Sequence, residues 1–369
     1  MLKILSVIGT RPEAVKLAPV IRLLRQTRGI ESRVCATAQH RQMLDQVLNL
    51  FDIRPDFDLN LMREDQSLGR LSAEILLHLD PILEQVDPDW VLAQGDTTTV
   101  AITALLCYFR QVRFGHVEAG LRTHDKWQPF PEEINRRVAA VAADLHFAPT
   151  ELSKKNLLNE GVSEGMIKVT CNTVIDALYY VADRPEPEEL VRLIPRVPSG
   201  SRLILVTAHR RENFGRPIEA ICQGLKILAA RGDVEIVYPV HLNPNIQEPV
   251  YRLLRDVDHI TLLPPLDYLP LVHLMKKSTI ILTDSGGIQE EAPAFGIPTL
   301  VLREVTERPE GIEAGTLRLV GTDTDRIVQT TTLLLEDESV YARMSRAANP
   351  FGDGHASERI IQHLLDHPA

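Results

Sequence analysis

Carboxylates follow successive apolar runs in the first half of the chain. Asp96 comes directly after "WVLAQG", Glu118 lies near the end of "RFGHVEA", and Glu132 lies in the first turn of a predicted helix that begins at Pro131. A single acid at a strand end or a helix start is usually a cap or a partner of the helix dipole. Three acids from successive loops of one sheet meet at one edge, where neighbouring carboxylates push their pKa values apart. The pattern therefore indicates groups that can take and return a proton.

The second half of the chain contains groups suited to an anion. The stretch "ILTDSGGIQEEAP" runs from an apolar strand through Ser285, Gly286 and Gly287 into a predicted helix. Glycines let the backbone approach a ligand, and the unpaired N–H groups of a first helical turn attract phosphate. Glu291, about one turn further, can accept both hydroxyls of a ribose. We therefore expect a nucleotide whose phosphates rest on the Ser-Gly-Gly turn.

Basic residues stand at several other predicted strand ends. Guanidinium groups suit phosphate oxygens because two N–H donors can bind at once. No Asp, Glu or His grouping demands a metal, so we expect cationic side chains to balance the diphosphate, with no metal and no cofactor. The basic candidates, in chain order, are Arg11, Lys16, His209, Arg210, Arg211, His241 and Arg308.

Alternating strands and helices position these residues. A predicted helix at 12–26 has Thr10 as its cap and Pro12 in its first turn. Continuous apolar strands that alternate with helices are typical of parallel sheets covered on both faces. Strands are predicted at 3–9, 32–37, 90–95, 113–119 and 145–149, and again at 202–209, 234–241, 259–265, 279–284 and 298–304.

The predicted fold class is α/β, with two Rossmann-like domains whose parallel sheets face a central cleft. A Pro-rich, charged stretch at 183–201 is interpreted as a linker. The first domain is predicted to span 1–175 and the second 176–355, and a C-terminal helix at 356–369 can pack back on the first. "LAQGDTTTV" and "LTDSGGIQ" echo each other, since both run from a strand through polar residues into a helix. Ligands bind at such strand ends, which favours a ligand between the domains.

Composition excludes several classes of function. The chain has 369 residues, 44% of them hydrophobic, and its net charge of -10 argues against nucleic-acid or anionic-membrane partners. "MLKILSVIG" is too short for a membrane span and lacks a cleavage segment, and no later run reaches membrane length. The four cysteines are far apart and form no CxxC pair, so neither a zinc site nor a disulfide framework is expected. A cytoplasmic location with reduced thiols is predicted.

Ten motifs in order resemble those of the non-hydrolysing UDP-N-acetylglucosamine 2-epimerases. The resemblance extends from about residue 3 to "NPFGDG" at 349–354. It implies a glycosyltransferase-B-like fold, a homodimer and interconversion of UDP-GlcNAc with UDP-ManNAc, for surface polysaccharide synthesis. The implied reaction eliminates UDP to give 2-acetamidoglucal and adds it back, without a nicotinamide. The motifs are "GTRPEAVK", "TAQHRQMLDQVL", "QGDTTTV", "GHVEAGLRT", "PEEINRR", "NTVIDAL", "HRREN", "YPVHLNPN", "DSGGIQEEAP" and "TERPE".

The same resemblance implies roles for individual residues. The catalytic positions are Asp96, Glu118, Glu132 and His209. The nucleotide-binding positions are Arg11, Lys16, Ser285, Gly286, Gly287, Glu291 and Arg308. A second, regulatory UDP-GlcNAc site is implied at Gln39, Gln42, Arg210 and His241. The departures from the family pattern are Glu74 in place of arginine, Cys171 and Ala208 in place of glycine, and Leu266 and Leu271 in place of Gln and Phe.

Four alternatives remain open at this point. The chain can be an epimerase of a UDP-2,3-diacetamido uronic acid, or a hydrolysing relative that releases ManNAc and UDP. It can also be a glycosyltransferase of the same fold, which would need an acceptor. The fourth alternative is a silent UDP-sugar-binding regulator, which would never exchange deuterium at C2. The residues do not show which carboxylate is the acid and which is the base.

Overall fold

The computed structural model describes residues 1–37, 41–61, 63, 65–194 and 200–367. The chain divides into two compact units. The first unit comprises Met1–Tyr180 and Phe351–Ala369, and the second comprises Val181–Pro350. Within the described ranges, no helix is both long and apolar enough to cross a bilayer.

The first unit is built on a parallel sheet, seven-stranded over the residues described. Its strand order is β3-β2-β1-β4-β5-β6-β7, so the order reverses between β1 and β4. Ile4 of β1 pairs with Trp90 of β4, and both side chains are buried. The strands are β1 (Leu2–Ile8), β2 (Ile30–Ala36), β3 (Phe57–Asp58), β4 (Trp90–Gln94), β5 (Arg113–Val117), β6 (Leu145–Ala148) and β7 (Ile167–Val169).

Amphipathic helices cover this sheet. In α1, the apolar residues recur at helical spacing and are buried. Thr10 caps α1 as predicted, because its hydroxyl accepts a hydrogen bond from the backbone of Glu13. The helices are α1 (Arg11–Gln26), α2 (Arg41–Leu50), α3 (Leu68–Val86), α4 (Thr98–Arg110), α5 (Glu132–Ala142), α6 (Glu151–Asn159) and α7 (Thr173–Ala182). The C-terminal helix at Ala356–Asp366 packs on α1.

The second unit repeats the same topology. Its parallel strands are ordered β10-β9-β8-β11-β12-β13, with the reversal between β8 and β11. The strands are β8 (Arg202–Thr207), β9 (Val234–Pro239), β10 (Ile260–Leu263), β11 (Ile280–Thr283), β12 (Thr299–Val301) and β13 (Leu317–Leu319). The helices are α8 (Glu188–Leu193), α9 (Arg216–Ala229), α10 (Pro244–Leu254), α11 (Tyr268–Lys277), α12 (Gly286–Glu291), α13 (Pro309–Glu313), α14 (Thr324–Glu336) and α15 (Glu338–Ser345), and the C-terminal helix is α16.

The two parallel sheets confirm the predicted α/β class with two Rossmann-like domains. Each of the ten predicted strands is present, with ends that differ by at most three residues. The short strands β3, β7 and β13 were not predicted, and the stretch interpreted as a linker contains α8. The echoing segments follow β4 and β11, which hold equivalent places beside the reversal of each sheet. Ligands of α/β sheets bind beside such reversals, at the carboxyl ends of the strands.

Candidate active site

Glu118 lies at the centre of a polar cluster in the first unit. It follows β5 with φ 63, a left-handed conformation that is uncommon outside glycine and is often found where function constrains the backbone. Its Oε1 accepts hydrogen bonds from Lys16 Nζ at 2.6 Å and from Asn172 Nδ2 at 2.9 Å. Gln94 Nε2 donates to the other oxygen. A buried carboxylate is thus held in one orientation by three donors, which come from α1, from the end of β4 and from the residue before α7.

Asp96 follows β4 and contacts α5. Arg136 donates from Nε to Oδ2 at 2.9 Å, and its Nη2 lies 2.8 Å from the same oxygen. Asn135 Nδ2 donates to the backbone carbonyl of Asp96 at 2.9 Å. The carboxylate is partly exposed, so a ligand can reach it while Arg136 holds it in place.

The two acids at the start of α5 have different surroundings. Glu133 is completely buried and accepts hydrogen bonds from the backbone N–H groups of Thr123 and His124. Burial alone would raise the pKa of Glu133, but the Thr123 N–H and neighbouring arginines including Arg136 outweigh it and lower that pKa. Glu132 has one buried oxygen, Oε2, without a hydrogen-bond partner in the part of the chain described. Oε2 of Glu132 is therefore available to accept a hydrogen bond, whereas both oxygens of Glu133 are occupied by the preceding loop.

A further buried acid, Glu13, was not predicted as a site residue. Its Oε2 accepts hydrogen bonds from the backbone of Gly9 at 2.5 Å and of Thr10 at 2.6 Å. Its Oε1 accepts one from the hydroxyl of Thr97, next to Asp96. Burial raises the pKa of Glu13 from 4.5 to about 7. The sequence signal was a capping box, T-x-x-E, which predicts a helix start but not this burial.

Two other residues of the first unit complete the cluster. Arg11 is the first residue of α1 and is partly exposed. His116 is buried in β5, and its Nε2 lies 2.7 Å from the carbonyl of Gly95. Burial lowers the pKa of His116 to about 4, so this ring is neutral at physiological pH and acts as part of the core.

A cavity of about 370 Å³ lies at the strand ends of the second unit. Its polar lining includes His209, His241 and Ser285. Its apolar lining includes Pro239, Pro265, Leu266 and Leu271, so the two leucines that depart from the family pattern face the cavity. The volume and the mixed lining are those of a small-molecule site.

Glu291 also lines this cavity and is fixed by a neighbouring phenol. Tyr268 Oη donates to Glu291 Oε1 at 2.6 Å, and both side chains are buried. Tyr268 was not predicted as a site residue, because no local pattern connects it with a glutamate on a different helix. The hydrogen bond orients the carboxylate that the resemblance assigns to the ribose.

Two guanidinium groups lie over the glycine that begins α12. A Cβ added to Gly286 would lie 3.6 Å from Nη2 of Arg210 and 3.7 Å from Nη2 of Arg308. Arg308 is also paired with Glu290. The Nε of Arg210 is buried and makes no hydrogen bond within the described residues. Arg210, a candidate for the regulatory site, is thus beside Arg308 at the predicted phosphate turn.

The other residues implied for the regulatory site are Gln39, Gln42 and His241. Gln39 lies outside the described residues, and so does the side chain of Gln42. His241 stacks on His209 with ring centroids 5.7 Å apart, and burial followed by the charge of His209 lowers its pKa. Glu74 lies on α3 beside His78, whose Nδ1 is 3.5 Å from the carboxylate.

One departure from the family pattern has a backbone consequence. Cys171 adopts φ 71, in the left-handed region where glycine has no steric penalty. Its thiol is free and partly buried. A glycine at this position would relieve backbone strain, which accounts for the family's preference in physical terms.

The two sheets, the acid cluster and the nucleotide-sized cavity define an α/β protein of two Rossmann-like units with the features of a nucleotide-sugar enzyme. The chain belongs to the UDP-N-acetylglucosamine 2-epimerase family, whose model matches residues 22–365. The resemblance inferred from the motifs is therefore confirmed.

Relatives match this chain over nearly their whole length. A probable UDP-N-acetylglucosamine 2-epimerase of Ralstonia solanacearum is 56% identical over 368 residues, with 98% of each chain covered. The UDP-N-acetylglucosamine 2-epimerase of Yersinia pestis is 52% identical, with 99% of each covered. The crystal structure of UDP-GlcNAc 2-epimerase from Neisseria meningitidis bound to UDP-GlcNAc superposes with a TM-score of 0.90 at 47% identity, covering 99% of this chain and 100% of that one. The S. aureus MnaA–UDP structure gives 0.89 at 44% identity, covering 100% and 97%.

Proposed function

We propose that this protein interconverts UDP-GlcNAc and UDP-ManNAc without hydrolysis. The observation that carries the proposal is the presence of two complementary sites on one chain. The first unit has a group of carboxylates around Asp96 and Glu118, held by cations and amides. The second unit has a cavity lined by an acid suited to ribose, and two arginines suited to phosphate lie over Gly286, between the cavity-lining residues Ser285 and Gly287. Relatives at 47% and 44% identity have been solved with UDP-GlcNAc and with UDP.

The chemistry requires two proton transfers and one leaving group. The C2–H bond of the sugar is not acidic enough for direct exchange, so departure of UDP must accompany the loss of the proton. One carboxylate takes the C2 proton while the C1–O bond breaks, which leaves 2-acetamidoglucal and UDP. UDP then adds back to C1, and a second carboxyl group delivers a proton to the opposite face of C2. Proton transfer by positioned side chains contributes roughly 10²–10⁴-fold to such rates.

We assign these tasks to the two units separately. In the first unit, Asp96, Glu118 and Glu132 are the proton-transfer groups, and Lys16 neutralises charge beside Glu118. In the second unit, Arg308 and the turn at residues 285–287 bind the diphosphate, and Glu291 binds the ribose. In this proposal Arg210 also binds the diphosphate, because its guanidinium lies next to that of Arg308 over Gly286. Holding UDP in place after bond cleavage favours its return over its loss to solvent.

The test is epimerisation in deuterated solvent, followed by NMR. Wild-type protein should convert UDP-GlcNAc into UDP-ManNAc with solvent deuterium at C2. Asp96→Asn should abolish turnover and leave UDP affinity, measured by calorimetry, within about threefold. Asp89→Asn is the matched control, because Asp89 precedes β4 at its other end, where it accepts a hydrogen bond from the backbone of Lys3 at 2.7 Å. The control should turn over like the wild type.

Four outcomes would contradict parts of this proposal. Full turnover by Asp96→Asn would refute the role of that carboxylate. Free ManNAc with stoichiometric UDP would show a hydrolysing enzyme instead. Tight UDP binding without any deuterium at C2 would indicate a silent binding protein, and activity restricted to a diacetamido uronic acid nucleotide would change the substrate.

We also propose a cytoplasmic location and supply of ManNAc for polysaccharide synthesis, and the four free cysteines suit a reducing compartment.

We further propose that the protein is a homodimer, joined through an apolar face on α4 and α5. Tyr108 is 69% exposed, Phe109 65% and Val141 90%, and they surround one apolar cavity. Contiguous exposed apolar surface of this kind marks interaction sites in soluble proteins. Val141→Glu should convert the dimer to a monomer in analytical ultracentrifugation, whereas Ile227→Glu, at an exposed apolar position on α9, should not. A wild-type monomer at micromolar concentration would refute the proposal.

A further inference from the structure

A fully buried carboxylate lies beneath His209 in the second unit. Asp284 follows β11 and has no exposed surface. Its Oδ2 accepts hydrogen bonds from the backbone N–H groups of His209 and Arg210, both at 2.8 Å, and from Asn213 Nδ2 at 2.9 Å. Three donors saturate this oxygen and bind the loop after β8 to the end of β11.

The second oxygen of Asp284 faces the imidazole. Oδ1 lies 3.1 Å from Nδ1 of His209, within ion-pair distance, and it makes no hydrogen bond to any described residue. Burial raises the pKa of Asp284, but the His209 ring and the two backbone N–H groups outweigh burial and lower that pKa, so the carboxyl is ionised at neutral pH. An ionised carboxylate only accepts hydrogen bonds. Nδ1 of His209 is therefore the group placed to donate to Oδ1, and it can do so only when it carries a proton.

The other ring nitrogen then points away from the carboxylate. His209 lines the cavity of about 370 Å³, and its side chain is 38% exposed. The ring of His241 stacks on that of His209 at 5.7 Å and 21°, which restricts rotation of the imidazole plane. With Nδ1 held by Asp284 and the ring plane held by His241, Nε2 is the nitrogen presented to a bound ligand.

We infer that Asp284 is a positioning residue for His209, which it holds with the proton on Nδ1 and with the acceptor nitrogen Nε2 presented to the sugar nucleotide bound in the cavity. The inference deepens the proposed function and rests on it for the identity of the ligand. A carboxylate that orients a histidine through Nδ1 is a recurrent arrangement in catalysis, where it fixes the tautomer and the ring orientation. Asp284 itself touches no ligand in this arrangement.

The first test is NMR of the free wild-type protein, which requires no activity. Long-range ¹H–¹⁵N correlation on ¹⁵N-histidine protein reports which ring nitrogens are protonated, and His209→Gln assigns the signal among the twelve histidines. We expect a proton on Nδ1 of His209. A neutral ring with a bare Nδ1 and a proton on Nε2 would overturn the inference, even if the protein proved not to be an epimerase.

The second test is Asp284→Asn. The amide oxygen should take the place of Oδ2 and keep its three donors, which puts the amide NH₂ against Nδ1. Since that NH₂ can only donate, Nδ1 must become an acceptor and the proton must move to Nε2. We expect this tautomer change in the NMR spectrum, a fall in kcat of about 10²-fold or more and a UDP Kd within about threefold of wild type.

Asp176→Asn provides the matched control. Asp176 is a buried aspartate that accepts hydrogen bonds from the backbone N–H groups of Ser357 at 2.7 Å and Ala356 at 3.2 Å. This variant should lose stability without changing the His209 tautomer or kcat. If Asp284→Asn kept the wild-type tautomer, or if both variants lost kcat equally, Asp284 would have only a structural role. If Asp284→Asn did not fold, the wild-type spectrum would still decide the question.

Discussion

Replacing Glu13 with glutamine removes an ionisable group from the interior of the first unit and keeps the size of the side chain. The glutamine oxygen can take the place of Oε2 and accept from Gly9 and Thr10. Its NH₂ group can then donate to the hydroxyl of Thr97, since a hydroxyl accepts as readily as it donates. The three hydrogen bonds survive, so the change in stability isolates the cost of burying the charge.

The pKa of Glu13 sets the size and the sign of the effect. In the native state it is raised from 4.5 to about 7, and the side chain is 2% exposed. Between these pH values the unfolded chain has released its proton while the native protein retains it, so the free energy of unfolding falls as pH rises. The stabilisation is complete below pH 4.5 and lost above pH 7, and it corresponds to about 3 kcal/mol.

Urea unfolding between pH 4.5 and 8.5 measures this difference. Both tryptophans of the chain, Trp90 and Trp127, lie in the first unit, so their fluorescence follows the unfolding of that unit alone. The free energy of unfolding of Glu13→Gln minus that of wild type should rise by about 3 kcal/mol across the range. Glu84→Gln, at a side chain 73% exposed, should run parallel to wild type.

Parallel pH curves for wild type and Glu13→Gln would refute the reasoning. They would mean that Glu13 titrates in the native protein as it does in the unfolded chain. A difference that grew toward low pH would be equally contrary, because it would require a lowered native pKa.

Two further predictions concern single contacts. Tyr268→Phe removes the donor to Glu291 and should weaken UDP binding about tenfold in calorimetry. The loss of affinity should be smaller for 2′-deoxy-UDP. Equal losses of affinity for both nucleotides would contradict the assignment of Glu291 to the ribose. Gly9→Ala places a Cβ 2.4 Å from Thr99 Oγ1 and should lower the free energy of unfolding in urea by about 1–3 kcal/mol. Thr99→Ala should restore part of this stability. Gly165→Ala is the control, because a Cβ there has no neighbour within 4 Å, and it should be nearly neutral. A cost at Gly9 that Thr99→Ala leaves unchanged would locate the clash elsewhere.

Strand prediction succeeded where a strand lies inside a sheet. The strands that were missed, β3, β7 and β13, are two or three residues long and lie at sheet edges. Such segments are too short to show an apolar period. They form because a neighbouring strand offers hydrogen bonds, which is information that the segment itself does not contain.

Residue types in the candidate site were predictable, but their surroundings were not. Glu132 and Glu133 are adjacent in sequence, yet one has an unpartnered oxygen and the other is saturated by a loop. The sequence offered Arg210 both as a basic group for the diphosphate and as a regulatory residue, and only the structure shows its guanidinium beside that of Arg308 over Gly286. These distinctions depend on which way a side chain leaves its helix or loop and on what folds against it.

The sequence by itself determined the alternation of strands and helices, the family and the chemical types of the groups at the strand ends. These properties depend on neighbouring residues along the chain and on short motifs that can be recognised in the sequence. Tertiary structure alone decided that Glu13 meets Thr97, 84 residues away, and that Asp284 meets His209, 75 residues away. Burial and distant hydrogen-bond partners determine whether a carboxyl group is charged and which way a histidine faces, and folding creates both at once.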